Sequence, residues 1–361
     1  MNATDTANLA PYGNETLPAG IRSRVVNNNN GLMVHVLEAG YHVIAPDQRG
    51  YGRTTGWDGS YDADGDPFRN VNMVRDAMGL VYALGYRSVA GVVGHDAGSP
   101  VASWCAVIRP DIFRRLALMS SPFPGPPKMS FDTANGAAPV PPPYTDDQLD
   151  TELAKLNPPR KYYRNHQRTH GANDDMLHAR QGLHNFFRAY YHAKSADWKG
   201  NTPHPLKSHT AEEMAKMPHY YVMLKDKGMA DNIAPFMPTR EEIAACKWLT
   251  DAELGVYVTE YQRTGFTGAL QGYRVRRGTD PRTLAELRTF SGRTVDVPTC
   301  LIAGKADWGA YQNPGVLEAM QTTVCKDWRG THFVENAGHW AQQEQPDAVS
   351  KLLIEFLGAS R

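Results

Sequence analysis

The segment VVGHDAGSPVA, residues 92–102, places an acidic side chain on a sharp turn. An apolar run leads into GHDAG, and a helix-like sequence follows it. The two glycines permit a turn that is too tight for larger residues, and such a strand–turn–helix unit holds its central residue, Asp96, above a sheet. A carboxylate in that position can attack an sp³ carbon and form an ester that water then cleaves. The alternative is an acidic turn that caps a helix, because aspartate is a good N-cap residue.

The sequence around this turn alternates between strand and helix patterns. Residues 70–85 have apolar side chains at helical spacing, and Gly85 provides a stop signal. A second helix is predicted at 99–113 and a buried strand at 114–121. This succession predicts an α/β fold whose mostly parallel sheet is covered by helices on both faces.

Composition divides the chain into three parts. The stretch 122–143 is rich in proline and glycine, which is typical of a linker. Residues 136–288 show amphipathic helical patterns and predict a helical cap, or lid. The strand pattern returns afterwards, so the sequence predicts a core formed by residues 1–135 and 289–361 with the cap inserted between them.

The overall charge favours a small ligand. The 361 residues contain 38 Lys and Arg and 38 Asp and Glu, so no net field attracts nucleic acid or an anionic membrane. No apolar run approaches the length of a membrane-spanning segment. The cysteines are widely spaced, which predicts free thiols, a reducing compartment and a cytoplasmic location; they are Cys105, Cys246, Cys300 and Cys325.

Two further residues complete a catalytic pattern with Asp96. Asp307 ends a predicted strand, and His339 stands between a short strand and a helix. Each alone would be an ordinary loop or packing residue. Together the three occur in the order nucleophile, acid, base that α/β hydrolases use. We therefore predict that Asp96 is the nucleophile, Asp307 the acid and His339 the base, with the N–H of Ala97 as one oxyanion donor.

The chain resembles the epoxide hydrolases of the α/β-hydrolase fold over most of residues 20–360. The resemblance rests on APDQRGYGRT, GHDAGSPVA, EYQRTGFTGALQGYR and NAGHWAQQEQPDAV. It implies that two cap tyrosines, Tyr273 and Tyr220, hydrogen-bond the epoxide oxygen and protonate the alkoxide. Tyr221 is the alternative to its neighbour Tyr220, and either position could instead hold a packing residue of the cap. The substrates implied are a small epoxide and water, with no cofactor and no metal.

Dehalogenation and metal binding have weaker support in the sequence. Haloalkane dehalogenases share the aspartate turn, but they commonly carry tryptophan where Ala97 stands here. His166 and His170 have the spacing of metal ligands on a helix, but no glutamate lies between them as in H-E-x-x-H. The sequence therefore favours hydrolysis of an epoxide to a vicinal diol through an ester on Asp96.

One segment expected from the resemblance is missing. Between its second strand and APDQRGYG the family carries a strand, an H-G-x-P loop and a helix, about 25–30 residues. Here only Glu38, Ala39 and Gly40 separate the predicted strands. The lost loop supplies the second oxyanion N–H, and losing such a donor typically costs about 10²–10³ in rate. Ester hydrolysis should suffer more than epoxide opening.

The loss also affects the sheet. The joined strands should be antiparallel neighbours, and the gap beside the strand ending at Asp96 must close by a shift of the hairpin or stay unpaired. The interpretations left open are a working shortened enzyme, a non-catalytic ligand-binding homologue, a chain that folds poorly, and an incomplete gene model or splice variant.

Overall fold

A computed structural model describes Tyr12 and residues 17–39, 42–129, 144–275 and 281–358. Within these residues the strands are β1 (Arg22–Asn27), β2 (Met33–Ala39), β3 (Val43–Pro46), β4 (Val92–His95), β5 (Leu116–Met119), β6 (Arg160–Tyr162), β7 (Val222–Leu224), β8 (Thr299–Gly304) and β9 (Trp328–Val334). The longer helices are α1 (Asn70–Ala83), α2 (Gly98–Ile108), α3 (Asp146–Leu153), α6 (Leu183–Lys194), α10 (Asp251–Thr264), α11 (Thr267–Val275), α12 (Pro281–Arg288) and α15 (Pro346–Gly358). The shorter helices are α4 (Tyr163–Gln167), α5 (Ala172–Leu177), α7 (Ala211–Met214), α8 (Met229–Ile233), α9 (Arg240–Ala245), α13 (Val316–Ala319) and α14 (Ala341–Glu344).

The core strands form two sheets. β4, β5, β8 and β9 pair in parallel in that order, which confirms the predicted parallel sheet. β1, β2 and β3 form a separate antiparallel sheet. Ala39 of β2 is paired with Val43 of β3, so the two joined strands are antiparallel neighbours as predicted. Gly40 and Tyr41, which lie between them, fall outside the described residues.

The gap beside β4, the strand that leads to Asp96, stays open. Among the described strands, no ladder joins β3 to β4. Val93 of β4 is 42% exposed and Val43 of β3 is 57% exposed, whereas every residue of β5 and β8 is buried. The hairpin has therefore not shifted to close the gap. This edge of β4 has no partner strand among the described residues.

Helix α1 spans the two sheets. Its Met73 and Val74 pack in the core cluster of the parallel sheet. Leu80, further along the same helix, packs in the cluster of the antiparallel sheet with Val34 and Val36. Apolar packing on α1 therefore connects the two sheets, although hydrogen bonds between strands do not.

The cap is helical, with one short ladder between β6 and β7. It has its own apolar core around Phe186, Tyr162 and Met214. The boundary at 135/136 falls on residues outside the description. Leu287 of α12 packs in the cluster of the parallel sheet, so this helix contacts the core, and the limit of the cap at residue 288 stays a prediction.

The other global expectations concern cysteines and membranes. All four cysteines are free thiols, as predicted. No helix in the described part of the chain is long and apolar enough to cross a bilayer.

The open edge of β4 leads to a stability prediction. Val93→Ala should lower the free energy of unfolding by less than about 1 kcal/mol, because Val93 is partly exposed. The matched variant Val36→Ala, at a fully buried strand position, should lower it by about 2 kcal/mol through lost burial and a cavity. Denaturant unfolding of both variants measures the difference. Equal losses would contradict an open edge at β4.

Candidate functional site

The tight turn predicted around Asp96 is present. β4 ends at His95 and α2 begins at Gly98, and Asp96 itself has a positive φ of 44°. A Cβ on Gly94 would lie 2.5 Å from the carbonyl oxygen of Gly98 and 2.8 Å from Cβ of Ala102. Glycine at position 94 therefore lets strand and helix approach closely enough to raise the Asp96 side chain, which is 34% exposed, above the sheet edge.

The structure brings the three predicted triad residues together. Nε2 of His339 lies 3.5 Å from Oδ2 of Asp96, and Nδ1 lies 3.3 Å from Oδ1 of Asp307. The side chains of His339 and Asp307 are each only 2% exposed. The imidazole thus stands between the candidate nucleophile and a buried carboxylate, which is the arrangement that a general base requires.

Further contacts hold Asp307. Its Oδ1 accepts a hydrogen bond of 2.8 Å from the backbone N–H of Gly309. Ser120, which follows β5, places Oγ 3.0 Å from Nδ1 of His339. Burial alone would raise the pKa of Asp307, but the charge of His339 and these hydrogen bonds outweigh it, and the pKa is lowered. Asp307 is therefore ionised and fixes the imidazole.

The loop that carries His339 is tied to its surroundings. His95 donates from Nε2 to the carbonyl oxygen of His339 at 2.7 Å. Burial and the nearby His339 lower the pKa of His95 to about 4, so it is neutral at neutral pH. Glu344 accepts hydrogen bonds from the N–H groups of Gly338 (3.0 Å) and Trp340 (3.1 Å), on both sides of His339. These bonds orient the base.

Two tyrosines of the cap, Tyr163 and Tyr273, lie close together. The ring of Tyr163 stands edge-on to the ring of Tyr273, with centroids 5.9 Å apart, and Nε2 of Gln312 donates to the Tyr163 hydroxyl at 2.9 Å. The hydroxyl of Tyr220, in contrast, donates to Oδ1 of Asn201 at 2.5 Å. Tyr273 thus contacts Tyr163, which was not predicted because Tyr162–Tyr163 matches none of the motifs of the family resemblance.

A buried cation also lies in the site. Nζ of Lys194 lies 5.3 Å from the ring of Tyr221, 5.4 Å from Tyr190 and 5.5 Å from Trp340, at distances typical of cation–π contacts. Burial would lower the pKa of Lys194, but the net direction is upward because Tyr190 and Asp96 favour the ammonium form. Lys194 was not singled out from the sequence, since a lysine on a helix is usually solvated.

Lys194 and His339 are directly connected. The backbone N–H of His339 donates to the carbonyl oxygen of Lys194 at 2.8 Å, which joins the cap to the base. Burial and the Lys194 charge lower the pKa of His339, while Asp307 and Asp96 raise it, and the net direction is upward. The cation therefore opposes protonation of the base.

The backbone N–H of Ala97 is the oxyanion donor predicted from the sequence. Ala97 precedes α2, and its N–H forms no hydrogen bond to another residue in the described part of the chain. It is thus available to a substrate oxygen. The described residues contain no strand next to β4 on its open side, where the family's second backbone donor would come from.

His166 and His170, which have the spacing of metal ligands, contact different residues. Nε2 of His166 lies 2.9 Å from Oδ2 of Asp175. The ring of His170 lies on the ring of Tyr61, with centroids 3.5 Å apart.

Comparisons with known proteins identify relatives. The family model for the alpha/beta hydrolase fold matches residues 17–346. Epoxide hydrolase B from Mycobacterium tuberculosis is 28% identical over 328 residues, covering 90% of this chain and 85% of that protein. Epoxide hydrolase A from the same organism is 27% identical, with 89% and 83% covered. An epoxide hydrolase from an endophytic Streptomyces has a similar structure, with a TM-score of 0.70, 24% identity and 94% and 96% of the two chains covered.

The effect of the Lys194 charge on the pKa of His339 can be tested. Lys194→Met should raise the pKa of His339, because removal of a nearby positive charge favours the imidazolium form. NMR titration of the His339 imidazole measures it. The control Lys216→Met, at an exposed lysine paired with Glu213, should leave that pKa unchanged. A downward or absent shift in Lys194→Met would refute the assigned influence.

Proposed function

The chain belongs to the α/β-hydrolase fold family as a homologue of epoxide hydrolases, and we propose that it hydrolyses a small epoxide to a vicinal diol through an ester on Asp96. The observation that carries this proposal is the line of Asp96, His339 and Asp307, joined at 3.5 and 3.3 Å. An aspartate nucleophile suits attack on an sp³ carbon, and an epoxide offers such a carbon with a strained leaving oxygen.

In the first step a carboxylate oxygen of Asp96 attacks one epoxide carbon. The carbon–oxygen bond of the ring breaks, and its electrons move to the epoxide oxygen. Tyr273 and Tyr163 are the proposed proton donors to that oxygen, because their rings are in contact and both belong to the cap. Tyr163 thereby takes the place first given to Tyr220, whose hydroxyl is bonded to Asn201.

In the second step His339 removes a proton from water through Nε2. The water oxygen attacks the ester carbonyl of Asp96, and collapse of the intermediate releases the diol and regenerates the carboxylate. Asp307 stabilises the imidazolium that forms, since its Oδ1 lies 3.3 Å from Nδ1. The imidazolium returns its proton to the departing diol oxygen, and the proton released as the Asp96 carboxylate re-forms restores the tyrosine, so the sum is epoxide plus water to diol.

A second candidate is a ligand-binding homologue without turnover. It is favoured by the open edge of β4, on the side where the second oxyanion donor of the family would lie. It predicts that a ligand binds equally well to the parent and to Asp96→Asn. Diol formation by the parent would exclude it.

The nucleophile can be tested by mass spectrometry. After rapid mixing with styrene oxide, His339→Gln should accumulate a protein adduct of one epoxide mass on the peptide containing Asp96, because ester hydrolysis needs the base. Asp96→Asn should form no adduct, and the parent should form diol. A folded parent that gives neither adduct nor diol would overturn the proposal.

The choice of tyrosine can be tested separately. Tyr163→Phe should slow adduct formation about tenfold or more, since positioned proton transfer contributes about 10²–10⁴ in rate. Tyr220→Phe, a matched loss of one hydroxyl, should have a smaller effect on that rate, because its hydroxyl is bonded to Asn201. Stopped-flow measurement of the first turnover compares them. The reverse order of effects would restore Tyr220.

A further inference from the structure

We propose that the side-chain amide of Gln48 supplies the second oxyanion donor of this site, beside the backbone N–H of Ala97. The inference rests on the proposed function, because the oxyanion forms only when the ester on Asp96 is hydrolysed. It assigns a catalytic role to a residue that lies outside the triad and outside the cap.

The position of Gln48 carries the proposal. Gln48 follows β3 in the antiparallel sheet, yet its Nε2 lies 3.4 Å from the point that a Cβ on Gly98 would occupy. Gly98 is the first residue of α2 and adjoins Ala97, the other donor. The side chain thus reaches from one sheet to the nucleophile turn on the other. There it meets the N-terminal end of α2, which already favours negative charge.

The amide of Gln48 is not used elsewhere. Its Oε1 is buried and has no hydrogen-bond partner among the described residues. Its Nε2 likewise forms no hydrogen bond within the described part of the chain. Leaving a buried polar group without a partner costs free energy, and such groups in folded proteins call for a specific explanation. A water or substrate group that donates to Oε1 would satisfy that atom, and the N–H groups on Nε2 remain available to an oxyanion.

The residues on both sides of Gln48 are held firmly. Asp47 accepts a hydrogen bond of 2.8 Å from the N–H of Arg53, and its Oδ2 lies 2.7 Å from Nδ1 of His35. Arg49 forms two hydrogen bonds of 2.9 Å with the carboxylate of Asp76 on α1. The backbone carbonyl of Gln48 accepts from the N–H of Tyr51 at 2.9 Å. An oxyanion donor is effective when it is positioned in advance, and this turn provides that positioning.

Gln48 should act in the hydrolysis of the ester and not in its formation. When water attacks the ester carbon, the carbonyl electrons move onto the carbonyl oxygen, and an N–H of Gln48 would stabilise that charge without giving up its proton. In the earlier alkylation the charge develops on the epoxide oxygen instead. Gln48 should therefore affect ester hydrolysis and leave epoxide opening nearly unchanged. Asn and Gln side chains can serve as such donors in other oxyanion holes.

The test compares Gln48→Met, which keeps the side-chain length but removes the donor, with the parent. Rapid mixing with excess styrene oxide, acid quench and intact-protein mass spectrometry give the rates of adduct formation and decay. In Gln48→Met the adduct should decay about 10²–10³ more slowly, while it forms within a fewfold of the parent rate. Gln48→Glu, an acceptor in place of the donor, should slow decay at least as much.

A matched control and the opposing outcomes complete the experiment. Gln321→Met removes an amide bonded to Thr331, away from the proposed machinery, and should change neither rate. Unchanged adduct decay in Gln48→Met, with a parent that turns over, would overturn the role of Gln48 and leave the proposed function intact. A parent adduct that never decays would also overturn it while supporting Asp96 as nucleophile. A parent without adduct or diol would overturn both.

Discussion

Parallel pairing of β4, β5, β8 and β9 is the constraint on which the site depends. In a parallel sheet all the carboxyl ends lie at one edge, so the residues that follow successive strands meet there. Asp96 follows β4, Ser120 follows β5, Asp307 follows β8, and His339 lies shortly after β9. Backbone hydrogen bonds fix this alignment before any side chain of the site interacts with another. The 3.3 Å and 3.5 Å contacts of His339 are consequences of strand order.

The cap is hydrogen-bonded to this edge at the loop that carries His339. The carbonyl of Lys194 at the end of α6 accepts from the backbone of His339. Glu344 accepts from the N–H of Ala196 in the cap at 2.8 Å as well as from both sides of His339. Burial raises the pKa of Glu344 to about 7. As the pH falls through neutrality the carboxylate gains a proton and becomes a weaker acceptor for these N–H groups. Cap position and base orientation are therefore set by the same hydrogen bonds.

The sequence predicted what depends on local pattern and chain order. The helix predicted at 70–85 is Asn70–Ala83, and the triad order placed three distant residues at one edge. The positions of Tyr163, Lys194 and Gln48 near the site were not predicted, because each depends on which side chains pack together across elements far apart in the chain. The choice of Tyr220 illustrates the limit, since the neighbouring positions 162–163 and 220–221 both present paired tyrosines. The ring of Tyr163 contacts both Tyr273 and Tyr221, and the role given to Tyr220 stays a prediction.

The missing segment affects the two sides of the site unequally. Asp307, Ser120 and His339 all lie on the side of β4 that has its full set of paired strands, so the acid and base keep their buried environment. The other side of β4 faces the gap, where Val93 is exposed and α1 packs against both sheets. The contacts of His339 with Asp96 and Asp307 form without any described strand on that side. In the described structure the turn after β3 brings the side chain of Gln48 to the start of α2, on this same side.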